Sequence, residues 1–222
     1  QGLSGEAYDI GVEWYFADAG LVSAAYFYKD IEAFISNGVI EDGITVITSD
    51  GPVLFDAIGP INGEGATVEG FEIGYQHAFD FLPFPFDGLG TQLNYTYTDS
   101  SVSIPYTEGG QTYTLPLEGL SESSYNAVLY YELDAFSVRL AYNYRDEFLA
   151  NRSNTQGNPQ FTDAYGQFDA TINWKVTDTI SMSLNGINLN NEARYQYFLT
   201  PDRMLAHRAS GRRIAYTVRL RF

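Results

Sequence analysis

Hydrophobic and polar residues alternate with a period of two in many separate segments of the chain. At its end, five apolar residues share one side of the pattern: Ile214, Tyr216, Val218, Leu220 and Phe222. The residues between them, from Arg213 to Arg221, are basic or small. A period of two is the pattern of a β-strand whose two faces meet different surroundings. The sequence therefore predicts a two-faced strand at 213–222.

The same alternation recurs upstream and predicts eight further strands, nine in all. Seven of them are centred on 8–16, 71–79, 92–98, 126–133, 136–145, 167–176 and 181–189. In the last of these the alternation shifts by one residue near Gly186, which predicts a β-bulge. Residues 22–35 are apolar and strand-like, but their pattern does not assign side chains to faces. No segment has helical periodicity, so the predicted fold class is all-β.

The connections between these strands alternate in length. Short turns are expected at about 17–22, 80–90, 134–136 and 177–179, and long loops at about 36–66, 99–125, 149–165 and 190–211. All the long loops therefore fall at the same end of the strands. A transmembrane antiparallel β-barrel of the outer membrane has this arrangement, with short periplasmic turns and long extracellular loops. The alternative, a soluble β-sandwich or lectin-like module, has no reason to have it.

Aromatic content and strand faces fit a transmembrane barrel. The chain has 18 Tyr and 15 Phe, and aromatic residues form girdles at both membrane interfaces of such barrels. No apolar run reaches the about 18 residues that a transmembrane helix needs. The predicted lipid-facing residues are Trp14, Ile172, Trp174, Val218 and Phe222. The predicted lumen-facing residues are Glu13, Arg139, Asp169, Thr217 and Arg219.

Charge is distributed unevenly about a net value of −16. Residues 1–138 contain 21 Asp or Glu and a single basic residue, Lys29, whereas residues 139–222 contain 11 Lys or Arg and 7 Asp or Glu. Because an acidic chain repels phosphates, nucleic acid is not expected as a partner. The lack of cysteine excludes disulfides and thiolate metal sites. Catalytic motifs are absent, and neither His77 nor His207 has a nucleophile beside it in the sequence, so an enzyme is not predicted.

A barrel of nine strands would place its two ends on opposite sides of the membrane. Bacterial barrels made from one chain usually have an even number of strands. Nine strands that begin outside the cell therefore predict that residues 1–222 are the C-terminal portion of one larger barrel domain. Alone, their sheet would expose two unpaired edges to lipid, which the bilayer does not tolerate. The remaining barrel strands are thus a required partner.

Four stretches of the sequence carry a family resemblance. "GINLNNEARYQYF" (186–198), followed by "GRRIAYTVRLRF" (211–222), resembles the close of TonB-dependent outer-membrane receptors. "DFLPFPFDGLGTQLNYTYTDS" (80–100) is similar to a periplasmic turn of that family with its rising strand, and "GLSESSYNAVLYYEL" (119–133) also resembles the family. There the alternating last strand with its terminal Phe is the signal read by the barrel-assembly machinery. The resemblance assigns that role to Tyr216, Val218, Leu220 and Phe222.

The resemblance implies a barrel of about 22 strands, of which this chain supplies strands 14–22. It further implies a plug domain, absent from this chain, and TonB-dependent uptake of a nutrient across the bacterial outer membrane. The implied partners are the lipid bilayer with its lipopolysaccharide, an inner-membrane energy-coupling protein that contacts the missing N-terminal region, and a small-molecule ligand. A surface lipoprotein is a further candidate. The favoured ligand is an oligosaccharide or another non-iron solute, with a siderophore chelate as second candidate. A passive porin and a structural or adhesive barrel are the alternative functions.

The candidate ligand-binding residues are aromatic and polar side chains of the long loops and of the strand end at 145: Tyr106, Tyr113, Arg145, Asn151, Arg152, Tyr195, Tyr197 and Arg203. Aromatic faces stack on sugar rings or planar chelates, and Arg offers a planar fork to hydroxyl and carboxylate groups. The acidic residues of 36–66 are candidate Ca²⁺ ligands: Glu41, Asp42, Asp50, Asp56 and Glu64. They lack the compact spacing of a Ca²⁺ loop, so no metal or cofactor is predicted.

Overall fold

The computed structural model describes residues 4–33, 35–62, 65–101, 104–108, 111–152 and 158–222. Within these ranges the chain forms seventeen β-strands and a short 3₁₀ helix at Phe86–Gly88. In the same ranges, no helix is long and apolar enough to cross a membrane. In chain order the strands are β1 (Ser4–Ala17), β2 (Gly20–Ala33), β3 (Ile35–Thr48), β4 (Gly51–Asn62), β5 (Ala66–Ala78), β6 (Leu89–Ser101), β7 (Ile104–Glu108), β8 (Gln111–Leu115), β9 (Ser123–Leu133), β10 (Phe136–Arg145), β11 (Phe148–Asn151), β12 (Gln160–Thr162), β13 (Tyr165–Lys175), β14 (Ile180–Ile187), β15 (Arg194–Phe198), β16 (Met204–Arg208) and β17 (Arg213–Leu220).

Nine of the described strands form one antiparallel sheet, named here the main sheet. Its order is β1-β2-β5-β6-β9-β10-β13-β14-β17, which is also their order along the chain. These are the nine strands that the alternation predicts, so the all-β prediction is confirmed. The connections at 18–19, 79–88, 134–135 and 176–179 are the predicted short turns. In the described part of the chain, β1 and β17 each pair with one strand only, so the sheet does not close into a barrel.

One face of the main sheet is apolar across all nine of its described strands. Residues directly opposite each other in an antiparallel pair share a face. Trp14 lies opposite Val22, which lies opposite Tyr75, and the same row continues across the sheet to Phe168. The predicted lipid-facing residues Ile172, Trp174 and Val218 lie on this face as well. The pairing also settles β2, whose Val22, Ala24 and Tyr26 belong to the apolar face.

The opposite face is polar, as predicted for the lumen wall. Here Glu13 lies opposite Ser23, Arg139 opposite Thr171, and Asp169 opposite Ala141. Hydrogen bonds run across this face, such as that from Thr171 Oγ1 to Asn185 Oδ1 at 3.1 Å. Towards the short turns the polar face forms a shallow cavity of about 480 Å³, lined in part by Lys175 and Arg219.

The predicted bulge at Gly186 is wrong. β14 pairs with β13 from Gly186 to Ser181, and with β17 from Ile187 to Ile180, without any shift of register. The pattern changes because the strand ends at Ile187 and Asn188 turns the backbone with a φ of +56°. Side chains beyond that turn no longer follow the period of the strand.

The long connections contain strands of their own, which the alternation does not predict. β3–β4 and β7–β8 are hairpins, and β11, β12, β15 and β16 form a second sheet in the order β11-β12-β15-β16, named here the loop sheet. The strands of the loop sheet have only three to five residues. A strand of that length is too short to show a period in the sequence.

Candidate functional site

The loop sheet stands at the long-loop end of the main sheet and builds a small core there. Leu149 of β11 and Tyr197 of β15 are buried in it, and Leu115 of the β7–β8 hairpin is buried as well. The Tyr197 ring stacks on Phe161 of β12 with ring centres 5.4 Å apart. Since apolar burial is the main source of stability in such a cluster, this core holds the polar residues around it in fixed positions.

The phrase "GINLNN" (186–191) fixes the loop sheet to the main sheet. Asn188 is only 1% exposed, and its amide donates to Glu192 O at 2.9 Å and accepts from Glu192 N at 2.8 Å. Asn190 reaches back to β13, where it accepts from Phe168 N at 3.0 Å and donates to Gly166 O at 2.7 Å. Asparagine is suited to this turn because it tolerates a positive φ and can hydrogen-bond nearby main chain. The phrase therefore has a structural role.

Two contacts join the β7–β8 hairpin to segments near the loop sheet. Tyr106 Oη donates to Asn158 Oδ1 at 3.1 Å, and Arg203 Nη1 pairs with Glu108 Oε2 at 2.5 Å. Tyr113 lies directly opposite Tyr106 in the hairpin. The structure thus brings the candidates Tyr106, Tyr113 and Arg203 into one contact region, whereas Tyr195 lies apart and stacks on His207 at 4.6 Å.

A cavity of about 160 Å³ lies where the long-loop end of the main sheet meets the loop sheet. We name it the rim cavity. Its lining residues are Arg145, Asp146, Phe148, Thr162, Asp163, Tyr165 and Arg194. Arg145 and Tyr165 lie opposite each other on β10 and β13, and Tyr165 Oη donates to Gln167 Oε1 on the polar face at 2.6 Å. The rim cavity therefore belongs to the lumen side of the wall.

Two arginines in the rim cavity are each held by an aromatic ring. The Arg145 guanidinium lies 3.9 Å from the Phe148 ring centre, and that of Arg194 lies 4.6 Å from the Tyr165 ring centre. Arg145 also donates to Ser121 Oγ at 2.7 Å and to Gly119 O. Neither guanidinium forms an ion pair with any carboxylate in the described ranges. Stacking fixes the plane of a guanidinium and leaves N–H groups at its edge for a ligand.

Two carboxylates face the same cavity and balance the charge of the arginines. Asp146 Oδ1 accepts from Glu147 N at 3.1 Å and from Tyr144 Oη at 3.4 Å, and Asp163 Oδ1 accepts from Ala164 N at 2.8 Å. In each carboxylate, only one of the two oxygens accepts these hydrogen bonds. A carboxylate has two oxygens and about four lone-pair positions, so each retains capacity to accept further hydrogen bonds. The site combines fixed donors with fixed acceptors and has no net formal charge.

Three other candidate residues contact the protein in ways that do not point to a ligand. Arg152 is buried, and burial lowers the pKa of its guanidinium, an effect that nearby Glu118 opposes. Burial and the hydrogen bond to Glu147 raise the pKa of Tyr197, whose hydroxyl donates to Glu147 Oε2 at 2.7 Å. Asn151 is exposed and lies opposite Gln160 at the end of β11. Their role in ligand binding stays a prediction.

Sequence reasoning missed most of the rim cavity. Only Arg145 was a candidate, whereas Arg194, Tyr165 and Phe148 were not. Arg194 meets Tyr165 because β12 pairs with β15 and sets the start of β15 beside the top of β13. No local pattern in the sequence encodes that meeting.

In the described residues, no group of three or more histidine or acidic side chains is placed to hold a metal ion. Of the acidic residues considered for Ca²⁺, Glu64 lies outside the described residues. The absence of a metal or cofactor stays a prediction.

The family model for the TonB dependent receptor-like β-barrel matches residues 4–189. This chain therefore belongs to the TonB-dependent receptor family and forms part of its β-barrel. Members of this family are outer-membrane transporters of Gram-negative bacteria, so the predicted location and the prediction that the chain is not an enzyme are confirmed.

Solved structures with the same fold include three receptors. The siderophore receptor PiuA from Acinetobacter baumannii has 19% identity and a TM-score of 0.65, over 97% of this chain and 28% of that one. The ferric-catecholate import receptor Fiu from E. coli K12 has 20% identity and a TM-score of 0.64, over 99% and 28%. The ferric yersiniabactin uptake receptor FyuA from Yersinia pestis has 16% identity and a TM-score of 0.65, over 99% and 30%.

At this level of identity the likenesses show the fold alone. This chain spans less than a third of the length of each of those receptors. No curated protein sequence matches the chain.

Proposed function

We propose that this chain is the C-terminal part of the barrel of a TonB-dependent transporter that takes up a neutral, polyhydroxylated nutrient such as an oligosaccharide. The observation that supports this most is the rim cavity, on the lumen side of the wall at the long-loop end. A solute that enters from outside the cell meets that end first, because the long loops of such barrels are extracellular.

The balance of donors and acceptors supports a neutral sugar as ligand. A sugar hydroxyl both donates and accepts, so it can accept from Arg194 and donate to Asp163 at once. A neighbouring cavity of about 320 Å³ is lined by four carboxylates and by no basic residue, the carboxylates being Asp99, Glu122, Asp146 and Glu147. This acidic surrounding disfavours an anionic ferric chelate, because like charges repel strongly where water is partly excluded.

Uptake of labelled oligosaccharides by cells that carry the complete receptor tests this proposal. The probes are fluorescent hexasaccharides of glucose, xylose or mannose. We expect at least one to be taken up, only when the energy-coupling protein is present. Arg194→Gln and Asp163→Asn should each reduce its uptake about tenfold, since a hydrogen bond to a charged group contributes roughly 1.5–3 kcal/mol. Arg208→Gln is the matched control, because Arg208 lies opposite Arg194 on β16 and does not line the cavity.

Each part of the proposal has its own contrary result. Uptake that continues without the energy-coupling protein would support the passive porin instead. Transport of a ferric siderophore, with none of the sugars taken up, would overturn the ligand class. Normal sugar uptake by Arg194→Gln would remove the rim cavity from the pathway while leaving the transporter itself in place.

A further inference from the structure

The short turn at 79–88 carries an unusual number of exposed phenyl rings. Phe81 is 69% exposed, Phe84 77% and Phe86 57%. The other short turns, at 18–19, 134–135 and 176–179, have no aromatic residue. Short turns of outer-membrane barrels lie on the periplasmic side. Large apolar side chains left in water there would be unfavourable, so the question is what covers them.

The N-terminal part of the turn is attached to the apolar face. His77 shares that face with Tyr75, because both alternate on β5 and lie opposite residues of the apolar rows. The Phe81 ring stacks on His77 with ring centres 5.5 Å apart, and the Phe79 ring meets His77 edge-on at 5.1 Å. Phe16 of β1 also meets His77 edge-on, with ring centres 4.9 Å apart. The phenyl rings at the start of the turn thus extend the lipid-facing surface.

The C-terminal part of the turn is attached to the same face. Tyr131 lies opposite Val138 and Leu89 in the apolar rows, and its hydroxyl donates to Pro85 O at 2.7 Å. Gly88 lets the turn lie close to the main chain of β9, because a Cβ there would collide with the main-chain oxygen of Glu132. Both ends of the turn are therefore attached to the lipid-facing side of the wall, while Phe84, Asp87 and Gly88 line a cavity of about 690 Å³ together with residues 132–135 around the next short turn.

From these contacts we infer that the segment 79–88 is an interfacial anchor that inserts Phe81, Phe84 and Phe86 into the periplasmic leaflet of the outer membrane. The lipid-facing surface of the main sheet runs into the turn without interruption, so the occupant is the bilayer that already covers that surface. Asp80 and Asp87 bracket the phenyl rings and are exposed. Carboxylates stay in the hydrated headgroup region, so the insertion is shallow, at the depth that aromatic side chains prefer.

Site-directed spin labelling of the complete receptor in phosphatidylcholine vesicles tests the anchor. Residues 1–222 contain no cysteine, so Phe84→Cys gives a single label in this part of the receptor once any cysteine elsewhere in it has been replaced by serine. Oxygen concentrates in lipid and a nickel chelate stays in water. We expect the label at position 84 to be accessible to oxygen and protected several-fold from nickel, relative to Asp178→Cys. Asp178 is a suitable control because it lies in another short turn and its side chain is 94% exposed.

Because Phe84→Cys removes one of the three phenyl rings, a second variant is needed in which all of them remain. Pro83→Cys leaves all three phenyl rings in place and should give the same lipid-type accessibility. Accessibility to nickel as high as at position 178, for both labels, would place the turn in water and overturn the anchor. Protection from both reagents would show that protein covers the rings, which would equally overturn the bilayer as their occupant.

Discussion

At the scale of single residues, a few polar side chains decide how the loop end is held. Asn188 is the clearest case, because it combines a left-handed backbone with full burial of a satisfied amide. Its main-chain N–H also donates to Asp169 Oδ1 at 2.9 Å, and Asp169 in turn accepts from Gln167 Nε2 at 2.7 Å. Through these bonds the turn after β14 is connected to the lumen wall below the rim cavity.

Asn188→Ala should therefore lower the stability of the folded receptor. Asn191 is the matched control, since it has the same φ of +56° but is exposed and makes no side-chain hydrogen bond in the described structure. Alanine disfavours a positive φ at both positions, by roughly 1–2 kcal/mol. Only Asn188→Ala also leaves buried main-chain groups unpaired, which costs about 1–3 kcal/mol more. The temperature at which the folded band disappears on a gel in mild detergent measures the difference. Equal shifts for the two variants would show that the amide bonds of Asn188 contribute nothing.

The rim cavity shows which residues sequence reasoning can find. Arg145 was a candidate because it ends a strand whose period is clear. Phe148, Tyr165 and Arg194 could not be found in the same way, since their meeting depends on pairing between segments far apart in the chain. Burial likewise separates Tyr197 from Tyr195, although both looked like equivalent loop aromatics in the sequence.

At the scale of elements, the alternation of apolar and polar residues was sufficient to predict the strands of the main sheet. Each of its strands faces lipid on one side and a polar lumen on the other. Apolar and polar residues therefore alternate along these strands with a period of two. The alternation did not assign the two faces of β2. Its lumen side carries Leu21, Ala25 and Phe27, so it differs little in polarity from its lipid side. The loop strands meet no such uniform surroundings, and the alternation did not predict them.

Leu140→Lys tests the assignment of faces at the middle of β10. Leu140 lies between Leu129 and Ala170 on the apolar face, while the next residue, Ala141, lies beside Asp169 on the polar face. A lysine on the lipid side near the bilayer midplane should cost about 2–4 kcal/mol. Ala141→Lys, its matched control, should be tolerated because the ammonium group can approach Asp169. Urea unfolding of the complete receptor in phosphatidylcholine vesicles gives both values, and a larger loss for Ala141→Lys would invert the faces.

At the scale of the whole molecule, the described chain is an open sheet with two edges. Unpaired N–H and C=O groups along β1 and β17 cannot be satisfied by lipid, so they require further strands of the barrel. The charge distribution adds a second reason. Residues 1–138 contain 21 acidic residues and one basic residue, so a closed lumen is needed for them to face the basic residues of 139–222.

Residues 1–222 expressed alone should therefore fail to form a stable barrel in detergent. We expect rapid proteolysis and no heat-dependent shift of the band on a gel, in contrast to the complete receptor treated in parallel. The physical reason is the pair of open edges, which expose backbone hydrogen-bonding groups and promote association between chains. A protease-resistant, heat-modifiable species that conducts ions in planar bilayers and contains only this chain would contradict the prediction.

Every strand of the main sheet lies beside the strand that precedes or follows it among the nine. This order limits how the number of strands in such a barrel can change during evolution. A hairpin is the smallest piece that can be copied or deleted while every remaining side chain keeps its face and every remaining loop keeps its side of the membrane. Loss of one strand would reverse the direction of all that follow. Gene duplication or deletion can therefore change the width of this kind of pore in steps of two strands, and the even strand number of single-chain bacterial barrels is the expected trace of that history.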